Sequence, residues 1–337
     1  MHVQAIDHVE FYVGDADEVA AKLRAEYGFR LHGWLRRPDQ HSVLLRQGAI
    51  RVLLTSARED DHPAAAYVAE HGDGLATVAL STDDPEAAYA EAVARGADAH
   101  GERITGFGDV SHVFVRPDTL LDAVELAPDE QESTLDLLEA IDHVAVCVAP
   151  GELDPTVEYY EKVLGFKQIF EEHIEVGGQA MNSKVVQSVS KEVTLTILEP
   201  DTTAEPGQID DFLAAHHGPG VQHLAFRTDD IALAVRTLGE RGVGFLSTPG
   251  GYYDALAERF EHVAVPVEQL RELNILVDQD NEGELFQIFT QTTHPRRTLF
   301  FEVIERLGAL TFGSANIKAL YQAVERDRRD PAQGATQ

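Results

Sequence analysis

The feature that most constrains this chain is an internal duplication. IDHVEFYV begins at residue 6 and IDHVAVCV at residue 141, an offset of 135. YGF (27–29) is echoed by LGF (164–166), and ARGAD (94–98) by ERGVG (240–244). GLATVALSTDD begins at 74 and GVQHLAFRTDD at 220, an offset of 146, so the second copy carries a net insertion of 11 residues between those points. A duplication on this scale must be recognised before any fold is assigned, because each copy has to form the same supersecondary unit.

Each copy reads as strand, helix, then several strands, and then repeats that order. IDHVEFYV alternates as a strand does. DADEVAAKLRAEYGF has helical spacing and is expected to stop at Gly28. HSVLLRQGAIRVLLTS makes a hairpin. GLATVALST restarts the pattern, followed by the helix DDPEAAYAEAVARG and a strand pair, HVFVRP with DAVELA. Each half therefore holds two β-α-β-β-β units. The expected class is α+β: two tandem domains of paired β-α-β-β-β units forming open barrels, covering 1–130 and 138–330, with a C-terminal lid helix and a tail at 331–337. APDEQESTLDLLEA (127–140), polar at first, is the natural linker. Ser314 is a plausible N-cap for the lid helix, and Ile317, Leu320, Tyr321 and Val324 form its apolar stripe.

The formal net charge of -31 argues against nucleic acid, which requires clustered Lys and Arg. It does not disfavour a small anion, which responds to the local field. No apolar run approaches the ~20 residues that span a bilayer. MHVQAIDHVEFYV lacks the basic and apolar regions of a signal peptide, so a cytoplasmic location with no membrane contact is expected. The one cysteine, Cys147, lies in an alternating run and is expected to be a small core residue.

Three residues stand out chemically. His143, His223 and Glu302 lie on separate predicted strands. Two imidazoles and one carboxylate make the facial set of non-haem Fe(II) oxygenases, with one side of the metal left open. By strand parity His143 shares a face with Ala145 and Cys147, His223 with Val221 and Ala225, and Glu302 with Phe300 and Ile304. A lone histidine in a strand is as readily structural as ligating. Glu302 is harder to explain that way, because its run is otherwise apolar and a buried carboxylate needs a cation. Arg306, if that end is helical, is the nearby structural partner. The duplication supplies a control: Thr77 stands where His223 stands, and the first half shows no counterpart of LFFEVIER. His8, which matches His143, is therefore expected to be structural, and the first domain to carry no metal.

The paired-unit pattern resembles the vicinal oxygen chelate superfamily over nearly the whole chain. Four segments sharpen this: IDHVAV, GPGVQHLAF, VDQDNEGELFQIFTQ and LFFEVIERLGALTFGSANIKAL; GGYYDAL (250–256) also fits. With them the chain resembles the 4-hydroxyphenylpyruvate dioxygenase family. The resemblance implies Fe(II), O2, and a 4-hydroxyphenylpyruvate substrate that supplies its own electrons. It also implies a homodimer. Members of the family either hydroxylate the ring, giving homogentisate, or hydroxylate the benzylic carbon, giving 4-hydroxymandelate.

Pocket positions follow from the same motifs. Where the ring hydroxylases typically read Pro-hydrophobic-Asn-Glu-Pro, this chain has Thr196, Ile197, Leu198, Glu199 and Pro200. Where they have Asn-Phe in the last helix, it has Asn316-Ile317. Both departures favour the benzylic outcome, for which the resemblance implies the S product and a role in supplying 4-hydroxyphenylglycine to peptide antibiotics. Gln287, sharing its face with Phe289, is expected to reach the substrate phenol. Ser183 and Gln208 match polar pocket positions, and Phe312 is expected near the substrate ring. Gln222 should face away by parity unless a bulge rotates it. The bland alternative for each polar residue is ordinary hydrogen bonding to backbone or water. An extradiol catechol dioxygenase, a zinc or nickel isomerase and a non-enzymatic binding protein are rivals of related fold; the complete triad and the C-terminal motif weigh against them.

Overall fold

A computed structural model describes residues 1–128, 136–313, 316 and 318. The first half supplies strands β1 (Ile6–Tyr12), β2 (Arg30–Arg36), β3 (Gln40–Gln47), β4 (Ile50–Ala57), β5 (Gly74–Ser81), β6 (Ala99–His100), β7 (Arg103–Phe107), β8 (Val110–Val115) and β9 (Glu125–Leu126). The second supplies β10 (Ala140–Cys147), β11 (Lys167–Val176), β12 (Gln179–Gln187), β13 (Thr194–Pro200), β14 (Gly220–Arg227), β15 (Leu276–Gln279), β16 (Glu284–Phe289) and β17 (Phe300–Leu307). The sheets run β6-β7-β8-β5-β1-β4-β3-β2-β9 and β11-β12-β13-β10-β14-β17-β16-β15. Reversing the first order and pairing β1 with β10, β2 with β11 and so on reproduces the second, except that β9 has no counterpart. In both, the two units meet along the antiparallel pair β1/β5 or β10/β14.

Local chemistry explains the elements. Asp15 caps helix Ala16–Tyr27, accepting from the Asp17 and Glu18 amides, and Gly28 ends it with a φ of 79°. The β11–β12 hairpin turns through Gly177 and Gly178, whose φ values of 60° and 94° suit a type I′ turn that non-glycine residues adopt reluctantly. Helix Ile231–Glu240 begins at the Asp230 cap and buries Ile231, Ala234, Val235 and Leu238. Helix Leu153–Tyr159 continues into a π-helical turn, Tyr160–Leu164, that buries Tyr160.

Alternation decides which face does what. Val144, Val146, Leu224, Phe226, Phe286, Ile288 and Val303 join one large core that also takes Val9, Leu54 and Val78 from the first sheet. The opposite face of β10, β14, β16 and β17 carries His143, His223, Gln287 and Glu302. Cys147 is fully buried beside Leu198 and Met181, as its run predicts.

Three expectations need correction. DAVELA is not a strand paired with HVFVRP. It forms a short helix, Thr119–Ala123, and then β9, which pairs with β2. The linker is not free to its end, since Leu137 and Leu138 are buried in the core and the Leu138 amide donates to Gln47. LFFEVIER does have a counterpart: β8 lies parallel to β5 as β17 lies parallel to β14. The similarity is one of position, and residue identity does not show it. The proposed lid helix falls almost wholly outside the described residues, including Ser314, Ile317, Leu320, Tyr321 and Val324; so does the tail.

Candidate metal centre

Register brings the three candidate ligands together. His143 on β10 lies opposite Ala225 on β14, His223 lies opposite Ala145, and Ala225 neighbours Glu302 on β17. His143 Nε2 stands 3.4 Å and His223 Nε2 3.5 Å from the same oxygen, Glu302 Oε2. One donor atom from each residue falls within 4.8 Å of the others, and among the described residues this is the one His/Cys/Asp/Glu group so arranged. Glu302 is 1% exposed.

Each ligand is held from behind. The Glu302 oxygen facing away from the histidines, Oε1, accepts from Gln287 Nε2 at 3.0 Å. Gln287 Oε1 accepts in turn from Asn316 at 3.1 Å, and Asn316 lies 2.9 Å from the Tyr252 hydroxyl. His143 Nδ1 is 2.9 Å from Asp142, which takes a two-pronged ion pair from Arg306 at 2.8 and 2.9 Å. Arg306 is thus on the strand, not on a helix, and its ion pair is with Asp142, so the structural alternative for Glu302 is not met. His223 Nδ1 is 3.2 Å from Gln222 Oε1, and Phe300 stacks on the His223 ring at 4.9 Å.

The electrostatics suit a cation. Burial works against an ionised Glu302, but the two imidazoles outweigh it and keep its pKa below the ordinary value. Burial also opposes a charged His143, yet Glu302 and Asp142 hold its pKa up to about 9. Burial depresses the pKa of His223. A carboxylate that stays charged in the interior, with two imidazoles converging on one of its oxygens, fits a divalent metal of the borderline kind.

The cavity at the triad is also lined by Met181, Thr196, Leu198, Gln208, Phe289 and Phe312. Thr196 Oγ1 is buried and finds no hydrogen-bond partner among the described residues. Phe312 meets His143 edge-on at 5.8 Å, beneath the Arg306 guanidinium. Gln287 lines the cavity, and its amide donates one proton to Glu302 and accepts from Asn316, so it orients the carboxylate. Asn316 is fully buried behind Gln287, outside the lining. Ser183 on β12 pairs with Leu198, buried beside it and outside the cavity lining. Ile317 lies outside the described residues.

Gln222 does line the cavity. The ladder shifts between Ala145/His223 and Val146/Val221, which leaves Gln222 as an inserted residue. The bulge also sends Val221 into the core, away from the face of His223. Strand parity misplaced both residues. Met181 and Asp142 were missed as well. The Asp-His pair at 7–8 and again at 142–143 was the available signal for Asp142.

In the first half the same positions are occupied differently. His8 contacts Asp7 at 2.7 Å, and Arg51 anchors Asp7 at 2.8 Å. Thr77 takes the place of His223, and Val113, which neighbours Ala79 as Glu302 neighbours Ala225, takes that of Glu302. Glu10 projects from the position of Ala145, paired with Arg103 at 3.0 Å and with Thr55 at 2.8 Å.

Paired β-α-β-β-β units that cup two histidines and a glutamate have the build of the vicinal oxygen chelate enzymes. The chain matches the Glyoxalase/Bleomycin resistance protein/Dioxygenase superfamily over residues 5–118 and 140–288. It is 32% identical to 4-hydroxyphenylpyruvate dioxygenase of Dictyostelium discoideum, over 97% of this chain and 98% of that protein. The Yarrowia lipolytica enzyme of the same name is 31% identical, over 96% of this chain and 91% of that one. Among solved structures, a triple mutant of 4-hydroxymandelate synthase from Streptomyces coelicolor is 43% identical, with a TM-score of 0.90, covering 97% of this chain and all of the other. The chain belongs to the 4-hydroxyphenylpyruvate dioxygenase family, and it is a dioxygenase.

Proposed function

We propose that this chain converts 4-hydroxyphenylpyruvate and O2 to (S)-4-hydroxymandelate and CO2, with Fe(II) held by His143, His223 and Glu302. CO2 is released from the carboxyl group of the keto acid; one atom of O2 enters the new carboxylate and the other the benzylic hydroxyl. The observation that carries the benzylic outcome is Leu198. It lines the triad cavity at a position where the family resemblance expects an asparagine. An apolar side chain there offers no hydrogen bond to the substrate and adds bulk against one side of its ring. The 43% identity to 4-hydroxymandelate synthase supports the same reading.

Fe(II), when bound, would chelate the keto acid and activate O2 on the side that the three ligands leave open. The chain's own residues supply position. Gln287 fixes the carboxylate so that Oε2 faces both histidines. Asp142 holds the His143 ring by Nδ1 and leaves Nε2 for the metal, and Gln222 does the same for His223. Phe289, Phe312, Met181 and Leu198 form a dry wall against the aromatic ring. Thr196 offers its unpartnered hydroxyl. The first domain serves as a scaffold without a metal of its own, because Thr77 and Val113 fill two ligand positions.

Two measurements test this. Incubation of the Fe(II) enzyme with 4-hydroxyphenylpyruvate and O2, followed by chromatography of the acids, should give 4-hydroxymandelate; homogentisate as the main product would overturn the benzylic assignment. Glu302→Ala should lose both turnover and bound iron, and an active, iron-replete variant would show that the wrong carboxylate was chosen.

A further inference from the structure

We propose that substrate reaches the triad through a cationic vestibule marked by Arg296 and Arg297. Among the described residues, two sizeable cavities lie near the triad. The larger, about 460 Å³, sits between the two sheets and shares no lining residue with the triad cavity. The other, about 290 Å³, shares two, Gln208 and Gln222, so those two amides form the partition between it and the triad cavity. Phe300 closes another side of the vestibule and stacks on His223. On this proposal the route to the metal passes the two glutamines.

Charge separates this passage from the rest of the surface. The chain carries a net -31, which repels an anionic keto acid at long range. The vestibule is lined by Arg296 and Arg297 against a single acid, Asp211, a local excess of one positive charge. Arg296 is pinned, its guanidinium donating to the Glu70 and Ala69 carbonyls at the end of helix Pro63–His71, and it makes no ion pair among the described residues. Arg297 is exposed and has a φ of 59°, an uncommon conformation for a residue with a Cβ. Adjacent guanidinium groups at a cavity mouth attract a carboxylate and raise its association rate within a Debye length of ~10 Å.

The inference rests on the keto acid reading above, and the two fail separately. Homogentisate as product would overturn the benzylic assignment yet leave the same keto acid as the ligand here. The test is stopped-flow binding of 4-hydroxyphenylpyruvate to the Fe(II) enzyme without O2. Arg297→Glu should lower the association rate constant roughly 5- to 10-fold at low ionic strength. The deficit should shrink in ~0.5 M salt, with dissociation and kcat unchanged. Arg297→Lys should bind as the parent does. Arg236→Glu, on helix Ile231–Glu240 and outside both cavities, changes the net charge equally and should leave association untouched. Unchanged association in Arg297→Glu, or equal slowing in Arg236→Glu, would overturn the vestibule.

Discussion

Asp142 shows how a single side chain joins stability to the site. Its carboxylate is largely buried, it binds Arg306 through both oxygens, and it holds the His143 ring. Burial alone would raise its pKa, but Arg306 and His143 push it far below the carboxylate range. Asp142→Asn keeps the shape and removes the charge. It leaves the Arg306 guanidinium buried without its counter-ion, which should destabilise the fold by about 3–5 kcal/mol. It should also weaken metal binding roughly 10- to 100-fold, because the ring loses its orienting partner. Urea denaturation and metal titration read the two effects. A variant that keeps parental metal affinity would show that Asp142 serves Arg306 alone. Glu302 was legible in the sequence because a carboxylate in an apolar strand demands a cation. Asp142 was not, because the Asp142–Arg306 pair spans 164 positions of chain and neither residue announces the other.

Bulges explain why strand parity partly failed. β10 and β14 change register twice, around Asp142 and around Gln222, and β1 and β5 do so around Asp7 and Ala76. The first bulge turns Asp142 toward the histidine that follows it. The second adds Gln222 to the face of His223. Both belong to the duplicated unit, since Ala76 matches Gln222 by the same offset as the flanking residues. Because Gln222 is the inserted residue, deleting it should leave Val221 in the core and His223 at the site. The fold should survive, while metal affinity falls about tenfold as the His223 ring loses its Nδ1 contact. Circular dichroism with a metal titration checks this; loss of folding would mean that the bulge is needed for closure of the sheet. Strand and helix types were readable from period and caps. The bulges were not, because an inserted residue carries no signature in polarity.

At the scale of the whole molecule, histidines join the two halves. His112 on β8 donates from Nδ1 to the Val78 carbonyl and accepts at Nε2 from Tyr160 of the second half, 2.8 Å away. His216 of the second half stacks on His71 of the first at 4.3 Å. Burial lowers the pKa of His112 to about 4; burial, then the neighbouring His71, does the same for His216. Unfolded histidine titrates near ~6.5. Between that value and about 4, the unfolded chain binds protons that the native chain excludes. Stability should thus be full above pH ~6.5 and fall as pH drops, by up to ~1.4 kcal/mol per pH unit for each histidine. The urea midpoint followed from pH 7 to 4.5 measures this, and His112→Gln should flatten the decline. A midpoint that held constant to pH 4.5 would rule out the two histidines as acid-sensitive joints.

Taken alone, the sequence determined the duplication, the class of each unit, the asymmetry between the halves and the identity of the three candidate ligands. These are local matters: period, turn chemistry and a charge where an apolar run forbids one. Tertiary structure decided what surrounds those ligands. It set Gln287 behind Glu302, Arg306 against Asp142, β8 in the place that answers to β17, and a cationic vestibule behind two glutamines. Such relations depend on register and on contacts between residues far apart in the chain, and hydrophobic period is blind to both.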